Sequence, residues 1–464
     1  MTVATATSEP HRPGPRGAGD RPVVALLPWG DLIEDYLDPL GLSLDAFADD
    51  MTGGWLFGYV EALESAGWRV VLCCVSHTVR RPERRCHLPT GATLWVLPPS
   101  RLYRWLRGAT ASGALPARGR LHAMRERVLP YLATPPARLA RVLRRERCRA
   151  VLCQEYESPR FDVCVGLGRF LRLPVVATFQ GGDRHAGRIE RALRPRTVRA
   201  AAGLVIAAEG EAARVQTAYG VPRDRIARIP NPLDLDAWEE TDRRAARDLL
   251  GLPPEAVVAA WHGRVTLAAK GLDVLLDAWA AVERHDPARD VRLLVIGTGP
   301  DANAFRARAD ALGLRTLHWI DDFVLDRDRL RRLLGAADLY VFPSRHEGFA
   351  VAPLEAMASG LPVVAADASG IDDLLPHGEA DGGLVVPRGD ANALVAALER
   401  LLGAAPAPRG PAPGPPRPRP SASGSPPFSR RPPRRGHDER PPAPRRPGAR
   451  DGDRARLQRG PLRR

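Results

Sequence analysis

Short runs of apolar residues alternate along the chain with longer segments whose apolar positions recur at helical spacing, from residue 22 onward. An apolar run bounded by turn residues is typical of a strand that is buried on both faces of a parallel sheet. The pattern predicts such strands at residues 23–27, 70–75, 150–153, 175–179 and 204–207, and a helix at 55–66.

The same alternation starts again after a break around Asn231-Pro232 and residues 251–254. Here the pattern predicts strands at residues 257–262, 293–297, 339–343 and 363–366. Alternating strands and helices indicate α/β domains with parallel sheets. We therefore expect two doubly wound domains, at residues 21–234 and 235–403. The carboxyl ends of both sets of strands can face one crevice between them.

The two ends of the chain differ from this central part. Residues 1–20 form a polar leader without the apolar core of a signal peptide. Residues 404–464 contain 17 prolines, 16 arginines and 4 acids, so we expect a disordered tail of net charge +12. Two interpretations of the tail are open: an arm that binds anionic lipid or nucleic acid, or a shift of reading frame near residue 404.

Composition narrows the class of protein. With 464 residues, 44% of them hydrophobic, the chain is long enough for a two-domain enzyme. The formal charge of +14 falls to 14 − 12 = +2 without the tail, so nucleic acid is not an expected partner of the globular part. Six scattered cysteines and the lack of about 18 consecutive apolar residues favour a cytoplasmic protein.

Lys270 stands out because the chain contains 67 arginines and one lysine. It lies in the segment WHGRVTLAAKG (261–271), where a strand end leads into a loop with Arg264 and Lys270 and then a predicted helix at 272–282. A guanidinium, an ammonium and a helix N-terminus together favour anion binding. The alternative is a solvated lysine on an ordinary loop.

A second segment, PSRHEGFAVAPLEAMASG (343–360), carries two glutamates. Glu347 lies in the predicted loop, and Pro353 and Gly360 predict the first turn and the end of a helix, which would place Glu355 in its first turn. Carboxylates that face a pair of cations suit a ligand with hydroxyls at both ends and phosphates between them, such as a nucleotide sugar. Alternatively, Glu355 only interacts with the helix dipole.

Together these segments resemble the retaining glycosyltransferases of family 4, which have the GT-B fold of two Rossmann-like domains. Glu347 and Glu355 match the E-x7-E motif of that family, and 263–264 followed by 270–271 resembles its phosphate-binding segment. The resemblance extends from about residue 22 to 403 and includes further blocks at 229–234, 293–300, 337–344 and 370–387.

The resemblance implies transfer of a sugar from a nucleoside diphosphate sugar to a glycan, lipid-linked or small-molecule acceptor. Arg264 and Lys270 would bind the diphosphate, Glu355 the ribose and Glu347 the transferred sugar. Other implied substrate-binding positions are Gly263, Asn231 and the backbone of Gly348, Phe349, Ala350 and Val351. The two cations can supply the charge over the leaving group without a metal, so neither a metal nor a cofactor beyond the donor is expected.

In the first domain, Gly53 and Gly54 resemble the glycine loop of the family, after an unusually long, acidic loop at 27–52. A simple loop-to-helix turn is the alternative. Gln180 stands where many members of the family place a histidine against the donor sugar, and it can bind a hydroxyl but cannot exchange a proton near neutral pH. His185 is the alternative candidate for that role.

Other functions fit parts of the sequence. Residues 295–302, VIGTGPDA, approximate the G-x-G-x-x-A turn of an NAD(P)-dependent oxidoreductase, although no acid that would bind ribose follows the next strand. An epimerase or a binding protein with the GT-B fold would share the architecture.

A basic segment at 101–150 holds 13 arginines and 2 acids, interleaved with Trp105, Tyr103 and leucines. Such a segment suits peripheral contact with an anionic membrane on its inner, cytoplasmic face, or a lipid-linked acceptor. A solvated helical face with an apolar core stripe is the alternative.

Overall fold

The computed structural model describes residues 21–111, 120–181, 187–238 and 241–403, all within one compact unit. Two sheets follow one another along this part of the chain, each flanked by helices. The predicted leader, His185 and the tail at 404–464 lie outside the described residues, so what was predicted for them stays a prediction.

Eight strands form the first sheet: β1 (Val23–Leu27), β2 (Arg69–Val75), β3 (Glu83–Cys86), β4 (Thr93–Leu97), β5 (Cys148–Gln154), β6 (Val175–Thr178), β7 (Gly203–Val205) and β8 (Ile226–Ala227). Their spatial order is β3-β4-β2-β1-β5-β6-β7-β8. The strand β1 pairs in parallel with both β2 and β5, whereas the edge strand β3 runs antiparallel to β4.

The helices of this first domain are α1 (Glu34–Leu37), α2 (Leu44–Asp49), α3 (Gly54–Ser65), α4 (Arg101–Ala111), α5 (Arg120–Ala133), α6 (Pro136–Arg145), α7 (Pro159–Leu171), α8 (Arg188–Ala200) and α9 (Glu209–Tyr219). Short 3-10 helices lie at Asp38–Leu40 and Arg223–Arg225. The expectation of one long loop at 27–52 is wrong, because α1, α2 and the first 3-10 helix occupy much of that segment.

Six parallel strands form the second sheet: β9 (Val257–His262), β10 (Val291–Ile296), β11 (Leu317–Ile320), β12 (Leu339–Phe342), β13 (Val363–Ala366) and β14 (Gly383–Val386). Their spatial order is β11-β10-β9-β12-β13-β14, with β9 between β10 and β12.

The helices that follow β8 are α10 (Arg243–Leu250), α11 (Leu267–Lys270), α12 (Leu272–His285), α13 (Ala302–Ala311), α14 (Arg327–Gly335), α15 (Val351–Ala358), α16 (Ile371–Leu374) and α17 (Ala391–Gly403). Further 3-10 helices lie at Leu235–Ala237 and Gly378–Asp381.

The apolar runs form strands because each sheet buries both faces. In β1, Val24 and Leu26 pack into one apolar cluster with Phe57, while Ala25 and Leu27 pack into another with Phe161. The same alternation in β9 sends Ala260 and Trp261 to opposite faces. This two-sided burial confirms the prediction of two doubly wound α/β domains.

Candidate functional site

A cavity of about 620 Å³ lies between the two sheets, lined by loops that follow the strands of both. Residues after β5 and β6 of the first domain contribute Glu155 and Gln180. Residues after β9 and β12 of the second domain contribute Arg264 and Glu347. The predicted crevice is therefore present, and it is formed by the carboxyl ends of strands in both sheets.

Lys270 and Glu347 form an ion pair at this crevice, with the Lys270 Nζ atom 2.5 Å from the Glu347 Oε1 atom. Lys270 ends the one-turn helix α11, so its expected position in a loop is wrong. The next residue, Gly271, has φ +62° and lies so close to the Pro343 carbonyl that a Cβ atom would overlap it. This close approach brings the end of α11 beside the loop that carries Glu347.

Arg345 holds the same two segments together. Its backbone N–H donates to the Ala269 carbonyl at 2.9 Å, and its guanidinium forms two hydrogen bonds with Asp273, at 2.7 and 2.8 Å. The Glu347 loop is thus attached to both α11 and α12.

Glu355 is buried beneath the crevice between two basic groups. Its Oε2 atom accepts from His262 Nε2 at 2.8 Å, and its Oε1 atom lies 2.9 Å from the Arg327 Nη1 atom. Burial favours the neutral acid, but the charge of Arg327 and the hydrogen bond from His262 outweigh it and lower the pKa of Glu355. The carboxylate is therefore held in its ionised form.

The helix that carries Glu355 has Pro353 in its first turn, as predicted. It begins at Val351, so Pro353 is its third residue, whereas Glu355 lies just beyond the turn in which it was expected. The predicted end is confirmed: Gly360 adopts φ +75°, and the N–H groups of Gly360 and Leu361 donate to the Met357 and Ala356 carbonyls. A role for Glu355 as a first-turn dipole partner does not fit this geometry.

Gly53 and Gly54 permit the close approach of Arg327 of the second domain, and their part in substrate binding stays a prediction. Gly53 has φ +62°, and a Cβ atom there would overlap the Arg327 side chain. Nearby, the Thr52 hydroxyl donates to the Leu325 carbonyl at 2.9 Å. The glycine loop therefore contacts the segment before α14 directly.

Sequence reasoning missed Arg327 and His262. Arg327 carries no local signal among the 67 arginines of the chain. His262 does have one, because it is a polar residue at the end of the otherwise apolar strand β9.

Arg264 follows Gly263, which has φ +146° at the end of β9, and its side chain lines the crevice. Tyr36 of the first domain lies nearby. Burial raises the pKa of the Tyr36 phenol to about 12, while the charges of Arg327 and Arg264 oppose that shift. Two cations of the second domain thus act on the same tyrosine of the first domain.

The glycines of the sequence VIGTGPDA have a packing role. A Cβ atom on Gly297 would overlap the Gly263 carbonyl, and one on Gly299 would overlap the Val265 carbonyl. The loop after β10 must therefore lie against residues 263–265, which follow β9. This packing explains the resemblance to a dinucleotide-binding turn.

The predicted backbone site includes Gly348, Phe349, Ala350 and Val351. The last three line the cavity at the start of α15, whose N-cap residue Ala350 makes no side-chain hydrogen bond to the helix. Gly348 packs directly against the backbone of Gly181 in the first domain. These residues lie where the prediction requires; their part in substrate binding stays a prediction.

Gln180 and Asn231 both line the crevice and contact each other. Gln180 Nε2 lies 3.3 Å from Asn231 Oδ1, and Asn231 Nδ2 donates to the Phe349 carbonyl at 2.7 Å. Glu155, which the sequence analysis did not select, lies beside them with φ +100°, and burial raises the pKa of its carboxyl group to about 7. With the exception of His185, which is not described, all predicted site residues line or border one crevice.

The described residues contain no group of three or more histidine, cysteine, aspartate or glutamate side chains that could hold a metal ion. Three acids from the adjacent pairs at 321–322 and 372–373 form ion pairs: Asp321 with Arg306, Asp322 with Arg329 and Asp373 with Arg228. Across the described ranges, no helix has the length and apolar character needed to cross a membrane.

Two family models match consecutive parts of the chain that forms this crevice. Residues 56–237 match the model described as Glycosyltransferase Family 4, and residues 256–404 match the model described as Glycosyl transferases group 1. The chain belongs to the family 4, group 1 glycosyltransferases. The family resemblance inferred from the E-x7-E motif and from the segment at 263–271 is thereby confirmed, and both models describe glycosyltransferases, not oxidoreductases.

Similar proteins include a D-inositol 3-phosphate glycosyltransferase of Nocardia farcinica, which is 38% identical over 42% of this chain and 43% of its own length. A second glycosyltransferase of that name, from Catenulispora acidiphila, is 33% identical over 45% of this chain and 49% of its own length. The chain thus spans about half or less of the length of the curated relatives it matches.

Solved glycosyltransferase structures share the fold. Sucrose-phosphate synthase from Thermosynechococcus elongatus superposes with a TM-score of 0.59 at 19% identity, over 83% of this chain and 90% of its own. The HepE protein of Anabaena, solved in complex with UDP and glucose, gives a TM-score of 0.57 at 16% identity over 83% and 90% of the two chains. These similarities confirm the predicted GT-B fold.

Proposed function

We propose that this chain transfers a sugar, with retention of anomeric configuration, from a nucleoside diphosphate sugar to a hydroxyl acceptor. The observation that carries the proposal is the ion pair of Lys270 and Glu347 in a crevice that Arg264 and Glu355 also line. One cavity thus holds two cations that suit a diphosphate and two carboxylates that suit the hydroxyls of a ribose and a sugar.

The pairing of Lys270 with Glu347 suits a group that joins sugar and phosphate. An ammonium has three N–H donors, so one can remain on Glu347 while others bind phosphate oxygens. Glu347 then stands next to the sugar attached to that phosphate. Positive charge from Lys270 and Arg264 stabilises the diphosphate as the sugar–phosphate bond breaks. Attack on the same face, assisted by the departing phosphate, accounts for retention without a protein nucleophile.

Glu355 is the proposed ribose-binding group. Its lowered pKa keeps it ionised, so it acts as a hydrogen-bond acceptor for hydroxyl groups. A carboxylate offers about four lone-pair positions; His262 occupies one on Oε2, while Arg327 lies 2.9 Å from Oε1 without hydrogen-bond geometry. Ribose hydroxyls can therefore bind without displacing either partner.

The first test is binding of nucleotides. Purified protein is heated with UDP, GDP, ADP and their sugars, and stabilisation of the folded state is measured. A ligand at 100 times its Kd stabilises the fold by about 2.7 kcal/mol. The second test is the transfer reaction itself. It should release the nucleoside diphosphate and give a product with the same anomeric configuration as the donor. Stabilisation by none of these ligands contradicts the proposal.

The acceptor is proposed to be a glycan, a lipid-linked molecule or a small polyol. Curated relatives are D-inositol 3-phosphate glycosyltransferases, so inositol phosphate belongs in the acceptor panel beside neutral sugars and lipid-linked sugars. Diphosphate release that depends on one class of acceptor would identify it.

Peripheral membrane contact is proposed for the basic surface of the first domain, at the cytoplasmic face. On α4, Leu102 and Trp105 are exposed, 51% and 62% respectively, beside arginines. The pKa of Arg138 on α6 is lowered by burial and by Arg104, Arg101 and Arg141, so the arginines of α4 and α6 lie close together. Apolar side chains beside clustered cations suit an anionic lipid surface.

Vesicle sedimentation tests this contact. Leu102→Ala and Trp105→Ala should weaken binding to vesicles that contain phosphatidylglycerol, whereas the exposed Leu249 of α10 supplies the control Leu249→Ala. Equal binding to neutral vesicles, or equal loss in the control, would contradict membrane contact through α4.

A further inference from the structure

We infer that Gln180 is a positioning residue that couples the first domain to the loop carrying Glu347, an inference that rests on the proposed transferase activity. The backbone of Gln180 is fixed at the end of β6. Its N–H donates to Glu155 Oε2 at 3.1 Å, and Glu155 Oε1 accepts from the Glu157 N–H at 2.8 Å. Glu155 is itself buried, so the ends of β5 and β6 are held together.

The side chain of Gln180 continues this chain of hydrogen bonds toward the second domain. Its Nε2 atom donates to Thr178 Oγ1 at 3.0 Å and to Asn231 Oδ1 at 3.3 Å. Asn231 is buried and donates to the Phe349 carbonyl at 2.7 Å. A primary amide has two N–H donors, for which Thr178 and Asn231 are the acceptors, and the Tyr59 hydroxyl is a further hydrogen-bonding partner of the same side chain. In this structure the Gln180 amide is therefore bonded to the protein.

A backbone contact lies beside the hydrogen-bonded chain. Gly181 adopts φ +94°, and a Cβ atom on it would overlap the backbone of Gly348. A Cβ atom on Gly348 would in turn overlap Gly181. Gly348 and Phe349 directly follow Glu347. Gln180 therefore reaches the Glu347 loop through Asn231, and the next residue, Gly181, touches the same loop through its backbone.

Through these contacts Gln180 helps to fix the position of the Glu347 loop relative to the first domain. The residues proposed to bind the diphosphate and the ribose are positioned by other contacts. Gly271 positions α11 and Lys270, while His262 and Arg327 hold Glu355. Loss of the Gln180–Asn231–Phe349 connection should therefore impair sugar transfer while sparing affinity for the bare nucleoside diphosphate.

The test is a double-mutant cycle with Gln180→Ala, Asn231→Ala and the double variant. Gln216, whose amide donates to the Ala212 carbonyl within α9, supplies the control Gln216→Ala. Each single variant should lower kcat by roughly tenfold to a hundredfold, as expected for a displaced reacting group. The double variant should lose no more than the worse single one, because both break the same connection. Affinity for UDP, GDP or ADP, whichever stabilises the wild type, should change less than about threefold.

Amide hydrogen exchange gives a readout that does not depend on activity. Exchange at residues 348–351 should quicken in both single variants and stay unchanged in the control. Should Gln180→Ala fail to fold, Gln180→Glu keeps the side-chain length and removes the two N–H donors.

Additive losses of kcat in the double variant would overturn the inference, because they would show that Gln180 acts on the sugar independently of Asn231. Unchanged kcat and exchange in the single variants, or a parallel loss of nucleotide affinity, would overturn it as well. A wild-type protein that binds no nucleotide refutes the proposed function instead, and the exchange measurement still decides whether Gln180 holds the loop.

Discussion

Removal of the only lysine should abolish most of the proposed transfer. In Lys270→Ala the ammonium that lies 2.5 Å from Glu347 Oε1 is lost, so the Glu347 side chain, 12% exposed, loses this ion-pair partner. Two interactions change together: the contact with the donor phosphate and the electrostatic support of Glu347.

The expected loss of kcat/KM follows from the partly buried position of the Lys270–Glu347 pair. Hydrogen bonds that involve a charged group contribute about 1.5–3 kcal/mol each. If Lys270 makes one such contact to phosphate in the transition state, kcat/KM falls by roughly tenfold to 150-fold in its absence. Lys270→Arg should restore part of the loss, since a planar guanidinium keeps the charge but cannot occupy the position of a compact ammonium.

The assay is the initial rate of nucleoside diphosphate release at varied donor concentration, for the wild type and both Lys270 variants. Arg308→Ala serves as the control, because Arg308 and Asp277 form an ion pair in which both side chains are about 40% exposed. Such a pair contributes about 0–1 kcal/mol. Near-normal kcat/KM in Lys270→Ala, or an equal loss in the control, would refute the assignment of phosphate binding to Lys270.

Three further predictions distinguish the roles of the other residues of the site. Glu355→Ala should weaken binding of the bare nucleoside diphosphate, whereas Glu347→Ala should spare it and impair the sugar nucleotide; equal loss of diphosphate affinity in calorimetry would contradict this division. Arg327→Ala should raise the pKa of Glu355. The stabilisation of the fold that the lowered pKa provides is present above about pH 4.5 and is lost as the pH falls through the pKa of the folded state. In the variant, nucleotide affinity should therefore begin to fall at a higher pH than in the wild type. Gly53→Ala places a side chain at φ +62° and ψ −152°, a backbone region that is nearly exclusive to glycine, and its Cβ atom would meet the Arg327 side chain. In chemical denaturation Gly53→Ala should therefore lose less stability in an Arg327→Ala background than in the wild type, and equal losses in the two backgrounds would show that the contact with Arg327 is unimportant.

The sequence predicted the buried strands better than the exposed ones. Strands β1, β9 and β13 have the predicted bounds because each is an unbroken apolar run between turn residues. The edge strand β3, with the sequence ERRC, has alternately half-buried and exposed residues and shows no apolar pattern. Its pairing with β4 depends on a neighbouring strand, which periodicity within the segment cannot reveal.

Motif spacing located the groups of the site that are close together in sequence or follow a strand end. Lys270 and Glu347 were both selected, and the structure joins them although 77 residues separate them. Arg327 was not selected, because its significance comes from Glu355 on a different helix and Gly53 in the other domain. Gln180 was selected for binding a sugar hydroxyl, which stays a prediction, whereas its contact with the amide of Asn231 could not be predicted because 51 residues separate the two.

The two domains contact each other at glycines, whose lack of a side chain allows close approach. These contacts involve the groups that support Glu347 and Glu355. Glu355 is linked to the first domain through Arg327, which lies against Gly53, and the loop of Glu347 is linked through Gly348, which lies against Gly181. Both positions require glycine, because a Cβ atom on either one would overlap the neighbouring group. Within their own domain, Glu355 is held by His262 and Arg327, and the loop of Glu347 is held by Arg345. The first domain therefore contacts the groups that support both acids through the backbone of its glycines.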